Sequence, residues 1–321
     1  MIEDEVQRLF YVLRALNPRH VLLWGETPLI QVGRGLCQGM GLSSACVREG
    51  MLPKTMLYDQ SAAAAQADCS GATIIRALDG PTNDEAGWLE QAETAIATLR
   101  EEGTDQHPVS DWPLSTAARA AADGIGAKLV FYAGTDEWQA GALPEPDDAD
   151  PAPYFRDSGD GLRALLDIAE SQNWLILFKP HPDIYPRAVT EHPRLFVVRE
   201  GSPVDCIDLS DVVVTLRSLV SYVSLARGKA TVLLGQMVLS GTGSAYEVTA
   251  RGDLAAVVSR AIAQVELPHR LRAFRYHVAA LLRDHLYCLD PADTLAVRSH
   301  ADLADRVCTE LGRAAPEPSA A

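Results

Sequence analysis

At 321 residues, 47% of them hydrophobic, the chain is long enough to bury one large core or two of ordinary size. Its formal net charge of −15 excludes a non-specific nucleic-acid binder, which needs a basic footprint, and requires a local positive site for any anionic ligand. Six cysteines (Cys37, Cys46, Cys69, Cys206, Cys288 and Cys308) form neither a CxxC pair nor a Cys/His cluster at zinc spacing, so reduced thiols and no metal site are expected.

Residues 3–16 read as a short amphipathic helix with Val6, Leu9, Phe10 and Leu13 on one face. The start, Met1 followed by Ile-Glu-Asp-Glu, is not a signal peptide, and no apolar run approaches the ~20 residues of a membrane span. A cytoplasmic protein is expected, with peripheral contact at the inner face of the membrane left open. His20-Val21-Leu22-Leu23-Trp24 is a buried strand that breaks at Gly25. The glycine-bearing stretch that follows (Pro28, Gly33, Gly35, Gly39, Gly41) lacks the GxGxxG spacing of a dinucleotide fingerprint and reads as a strand-to-helix turn. Ala45-Cys46-Val47 is the next strand, ending in Arg48-Glu49-Gly50-Met51-Leu52-Pro53. Asn83 to Arg100 and Ser115 to Asp123 have helix composition.

Lys128-Leu129-Val130-Phe131-Tyr132 is a clear strand ending at Gly134-Thr135-Asp136-Glu137-Trp138. The Pro- and Asp-rich stretch from Pro144 to Asp157 suits a long loop. A helix over Gly161–Gln172 leads to the strand Trp174–Phe178, which stops at Lys179-Pro180-His181-Pro182. Leu195–Val198 is strand-like. Val212–Thr215 is a strand, Leu216–Arg227 a helix and Ala230–Leu234 a strand. Ala250–Val265 and Arg270–Leu286 read as helices, and the tail from Arg313 as disordered. Strands alternating with helices imply parallel βαβ units and two Rossmann-like halves that divide near residue 125.

Ligands of such sheets bind beyond the carboxyl ends of the strands, and the polar clusters sit at those ends. Lys179 and His181, held by two prolines, present a point charge and a ring nitrogen that suit a phosphate; a solvated lysine and a carbonyl-capping histidine remain the alternative. The expected helix start at Leu216 puts Ser218 in its first turn, where free N–H groups favour an anion, while Thr215 serves as an ordinary N-cap. Ser221, one turn on, reaches the same ligand only if the helix starts later, and otherwise simply belongs to the helix. Asp136 or Glu137 is placed to remove a proton from a hydroxyl or to attack a sugar carbon, or else is a solvated loop acid. Glu247, after the small-residue loop Ser240–Ala245, is placed to hold ribose hydroxyls or to close a surface turn.

These residues carry a resemblance. LFKPHP, followed after a gap by DLSDVVVTLRSLVSYVSLARGKATVLLG, resembles the C-terminal half of bacterial capsule polysaccharide biosynthesis proteins, β-Kdo transferases among them. Val47 to Pro53 resembles their Glu-Gly-x-x-(Arg)-Pro segment, with Glu49 at its acid. Tyr132 to Trp138 falls at their acidic motif, and Tyr276 to Asp290, with HLYCLD, resembles their closing helix. The resemblance implies an α/β, GT-B-like fold of two Rossmann-like domains with a cleft between them. Residues 1–125 would form the acceptor-side domain and 126–295 the nucleotide-sugar domain with its closing helix. Residues 296–321 would hold a helix end and the tail. It implies a glycosyltransferase moving a Kdo-like sugar from a CMP-activated donor to a glycan or glycolipid acceptor, with no metal and no other cofactor. His181 and Ser218 then face the donor phosphate, with Lys179, Thr215 and Arg217 in support, and Asp136 is the catalytic carboxylate. The chain departs from the family at Ala230, where relatives carry proline, at GTDEW, which leaves Asp136 and Glu137 as alternatives, and at Leu216-Arg217-Ser218. Inverting and retaining chemistry both stay open. So do a CDP-glycerol- or UDP-sugar-dependent transferase and a non-catalytic capsule assembly or export partner.

Overall fold

Helix α1 (Ile2–Leu16) buries Leu13 and leads into strand β1 (His20–Trp24). The computed structural model describes residues 2–25, 28–59, 85–102, 112–134, 155, 157–180, 191–199, 202–235, 237–288 and 299–313. The glycine-bearing stretch read as a turn is mostly helix, α2 (Pro28–Gly39). Glycine inside a helix costs about 1 kcal/mol relative to alanine, so another interaction must offset it. A Cβ on Gly33 would lie 3.2 Å from Leu9 and 3.5 Å from Leu23. Its absence lets α2 lie closely against α1 and β1.

Strand β2 (Ser43–Glu49) runs parallel to β1, and β3 (Thr55–Asp59), which periodicity did not reveal, runs antiparallel to β2. The connecting segment is the Glu-Gly-Met-Leu-Pro motif, folded as a tight loop. The Gly50 N–H donates to the Thr55 carbonyl at 2.8 Å, and Thr55 Oγ1 donates to the Leu52 carbonyl at 2.7 Å. A Cβ on Gly50 would fall 2.1 Å from Thr55 Oγ1 and 3.0 Å from both the Thr55 carbonyl carbon and Leu286 Cδ2. Gly50→Ala is therefore expected to destabilise the protein by roughly 1–3 kcal/mol through overpacking. Urea unfolding checks this, and an unchanged midpoint would show that the loop simply moves aside.

Helices α3 (Glu85–Glu102) and α4 (Trp112–Gly124) precede β4 (Lys128–Ala133). Then come α5 (Ser158–Ala169), β5 (Trp174–Lys179), β6 (Leu195–Val197), α6 (Pro203–Leu209) and β7 (Val212–Thr215). Next are α7 (Val220–Ala226), β8 (Thr231–Leu233), β9 (Tyr246–Glu247), α8 (Leu254–Ile262) and α9 (Leu267–Asp284). Strand β10 (Leu286–Cys288) and α10 (His300–Arg313) complete the described chain. Among the described residues no helix is long and apolar enough to cross a membrane.

Two sheets result. One has the order β1-β2-β3-β10; the other, β6-β5-β4-β7-β8-β9, is parallel throughout. The uninterrupted apolar runs of β5 and β7 have no exposed position because helices cover both faces of that sheet. Alternate residues feed two cores. Leu129, Phe131, Leu177 and Val213 pack with α3, α7 and α9, whereas Val130, Tyr132, Ile176 and Val214 pack with α5 and α8. The first of these cores also takes in Met51, Leu52 and Leu57, which ties the two sheets together.

The first sheet corrects the all-parallel expectation, since β3 and β10 pair antiparallel. The closing segment is also corrected. The helix stops at Asp284, and Leu286-Tyr287-Cys288 pairs with Leu57-Met56-Thr55. All three β10 residues are buried there, and His285 breaks helical geometry at ψ −28 with φ −126.

Candidate active site at the carboxyl edge of the parallel sheet

Register decides which strand-end residues meet. Lys179 pairs with Ala133, Ala133 with Thr215, Thr215 with Leu233 and Leu233 with Glu247. These five residues form one row across the carboxyl edge. In-register partners of a parallel sheet point to the same face, and strands lie about 4.8 Å apart. Lys179 and Glu247 therefore stand about 10 Å to either side of Thr215, on the face shared with Leu177 and Phe131. The ladder continues past the row, with the Gly134 N–H donating to the Lys179 carbonyl at 2.7 Å and the Leu234 N–H to the Thr215 carbonyl at 2.9 Å.

Lys179 is 7% exposed at the end of a strand that is buried throughout, so the strand-end lysine is not a solvated surface group. Next to it on β4, Gly134 is the last described residue before the stretch that carries Asp136 and Glu137. His181 follows Pro180. Asp136, Glu137 and His181 all lie outside the described residues.

Beyond β7 the structure revises the helix start. Helix α7 begins at Val220, not at Leu216, and Ser218 precedes it. Thr215 Oγ1 accepts the Ser218 N–H at 3.1 Å, so Thr215 closes a turn and does not cap the helix. Side-chain bonds of this kind offer the backbone an alternative to helix, which delays the helix start. Ser218 supplies the helix entry instead. Its Oγ accepts the Val220 N–H at 3.3 Å, and its carbonyl accepts the Ser221 N–H at 3.0 Å and the Ser221 hydroxyl at 2.8 Å. The N–H groups of Ser218, Val220 and Ser221 are thus occupied within the turn. What Ser218 retains for a ligand is its hydroxyl hydrogen. Arg217 is half-buried beside Gly235, whose missing Cβ would sit 3.4 Å from Arg217 Cγ and 3.0 Å from the Leu216 carbonyl oxygen.

Glu247 is brought into the row but ties one carboxylate oxygen to its own loop, Oε1 accepting the Gly241 N–H at 2.9 Å. Burial pushes its carboxyl above the usual range, while that N–H and nearby Arg270 pull the other way. Arg270 had no signal in the sequence. It donates to the Ala245 carbonyl at 2.6 Å and the Gly243 carbonyl at 3.3 Å, and its guanidinium carbon lies 4.1 Å from the Tyr246 ring centroid. The small-residue loop is therefore clamped from α9, a tertiary arrangement that local sequence does not encode. Asp160 is a second missed group. It is buried and held bidentately by Arg251 at 3.0 and 3.1 Å, close to where α5 meets Tyr132. Glu49 is exposed at the end of β2 in the other sheet and does not join the row. The next residues of its loop, Met51 and Leu52, do share a hydrophobic cluster with Val238 and Leu239, which lead into the clamped loop.

No protein-family model and no curated protein sequence matches the chain. Solved structures do. The β-Kdo 2,7 transferase KpsC of Thermosulfurimonas dismutans superposes with a TM-score of 0.52 at 18% identity, covering 96% of this chain and 89% of that one. The β-Kdo 2,4 transferase KpsC of the same organism gives 0.53 at 15% identity, covering 89% and 86%. The chain thus has the GT-B-like α/β fold of glycosyltransferases, and the resemblance to capsule polysaccharide biosynthesis proteins seen in its motifs extends to its fold.

Proposed function

We propose that the chain is a glycosyltransferase of capsular or related surface-polysaccharide synthesis. It transfers a Kdo-like sugar from a CMP-activated donor to a glycan or glycolipid acceptor, acting in the cytoplasm or peripherally at the inner face of the membrane. One observation supports this reading above the others: the buried Lys179 and the Thr215–Ser218 turn share one row at the carboxyl edge of the parallel sheet in this fold. In this reading the donor phosphate meets Lys179, the Ser218 hydroxyl and Arg217, while His181 stabilises the monophosphate as it leaves. Protein donors of this kind neutralise a leaving monophosphate without a metal. Asp136, with Glu137 beside it, supplies the carboxylate that acts as base or nucleophile. Glu247 offers its second oxygen to ribose hydroxyls, and Glu49 lies on the acceptor side.

A thermal-shift panel of CMP, CDP and UDP tests the donor class. A nucleotide present at a hundred times its Kd stabilises the folded state by about 2.7 kcal/mol. CMP is expected to give the largest rise in Tm, followed by transfer from CMP-Kdo in a coupled assay. A larger response to CDP or UDP would replace the donor with CDP-glycerol or a UDP-sugar. No response to any of the three would favour a non-catalytic assembly partner.

A further inference from the structure

At the opposite, amino edge of the parallel sheet, a cavity of about 300 Å³ opens between α3, the end of α7 and α9. Its apolar floor includes Ile96, Leu225 and Phe274, and its rim holds three arginines, Arg100, Arg272 and Arg275, against one carboxylate, Glu93. Such a local excess of positive charge is unusual on a chain whose net charge is −15. The fold engages these arginines only in part. Arg100 donates only its Nε, to the Ala226 carbonyl at 2.8 Å, which leaves its terminal nitrogens without a partner among the described residues. Arg275 Nε sits 2.7 Å from Glu93 Oε1 but off-line, as an ion pair without an aligned hydrogen bond. Arg272 is exposed and has no ion pair or hydrogen bond among the described residues.

We infer that this cavity is a second anion site, taking a small phosphate ester such as a monosaccharide phosphate. A guanidinium fork matches phosphate oxygens two at a time, and three such groups around one opening set a strong local positive potential. The volume is at the lower end of ligand pockets, room for one ring and its phosphate but not for a dinucleotide. The aromatic and aliphatic floor suits the C–H face of a sugar ring. The site is independent of the proposed donor site. Ala226 and Gly228 lie before β8, whereas Lys179 and Thr215 end their strands at the other edge.

Calorimetric titration of the full chain with glucose 1-phosphate, and separately with inorganic phosphate, tests this. Saturable binding of glucose 1-phosphate, weakened by added salt, is expected, with inorganic phosphate weaker because it leaves the floor empty. Arg272→Glu should weaken the interaction at least about tenfold, the scale of one charged hydrogen bond, with Tm unchanged. Arg272→Gln and Arg275→Gln should give the same direction with smaller effect, and Lys179→Ala should leave it intact. The inference is overturned if the wild type shows no saturable binding, if Arg272→Glu binds as the wild type does, or if Lys179→Ala abolishes binding. Inorganic phosphate binding as tightly as the ester would overturn the sugar-phosphate assignment.

Discussion

Replacing His181 by alanine is expected to lower the rate of sugar transfer by about 10²- to 10³-fold, the usual consequence of losing one donor to a developing negative charge. With a CMP-sugar donor, breaking the sugar–oxygen bond releases CMP as a phosphate monoester, and the bond's electron pair goes to the former bridging oxygen, which is uncharged in the ground-state diester. A donor fixed beside that oxygen is worth most in the transition state. Two prolines flank His181 in the sequence. The preceding Lys179 is buried at the end of β5 and bonded through its carbonyl to Gly134, so the segment leaves from a rigid point. The decisive measurement is single-turnover kcat with saturating donor, beside the CMP-induced Tm rise. Loss of kcat with the Tm rise largely retained is the expected pattern. Unaltered kcat would remove His181 from the mechanism and with it the comparison to CMP-dependent transferases. Asp136→Ala, assayed alongside Glu137→Ala, identifies the carboxylate.

The six-stranded sheet was legible because its strands are buried on both faces, and such strands read as unbroken apolar runs bounded by polar ends. Lys128–Tyr132, Trp174–Phe178 and Val212–Thr215 were all found in this way. Register puts Lys179 and Thr215, both read as strand-end residues, into one row, and it adds Glu247, which the sequence reading had placed after a loop. Strand β3 was missed because Thr55 to Tyr58 are all buried and Pro53 lies two residues before the strand, so neither alternation nor length marked it. Strand β10 was absorbed into the helix before it, since Leu286 continues the spacing of Val278 and Leu282 while only pairing to β3 ends the helix. The start of α7 depended on a hydroxyl, Thr215 Oγ1, choosing the Ser218 N–H. The Arg270 clamp and the Asp160–Arg251 pair join residues far apart in the chain, and no local pattern announces them. Glu49 was placed with the site on the strength of its motif. The same motif is explained by the Gly50–Thr55 loop, in which the glycine is needed for space.

A second large effect comes from a histidine that sequence reading passed over. His277 is 2% exposed on α9, and its Nε2 lies 2.8 Å from the Tyr222 hydroxyl of α7. Phe274 packs edge-on to the same tyrosine, with ring centroids 5.8 Å apart. The other ring nitrogen, Nδ1, is buried and has no hydrogen-bond partner among the described residues, so none of them accepts a proton from a charged ring. Burial, with a smaller contribution from His285, pushes the His277 pKa down to about 3. In the unfolded chain the same group titrates near 6.5. Above that value both states are neutral and the full stability is present. As pH falls below it, the unfolded state takes up a proton that the folded state refuses, so stability declines until the pH passes the folded value. Each pH unit in that window removes about 1.4 kcal/mol, so about 2 kcal/mol is gone at pH 5 and about 4–5 kcal/mol by pH 3. Urea unfolding from pH 7.5 to pH 4 should show this slope in the wild type. In His277→Gln, which keeps a polar group facing Tyr222 but cannot titrate, the slope should fall by about one proton's worth, whatever the variant's stability at neutral pH. Equal slopes in the two proteins would mean that His277 is protonated in the folded state, which would require Nδ1 to have found an acceptor or a water.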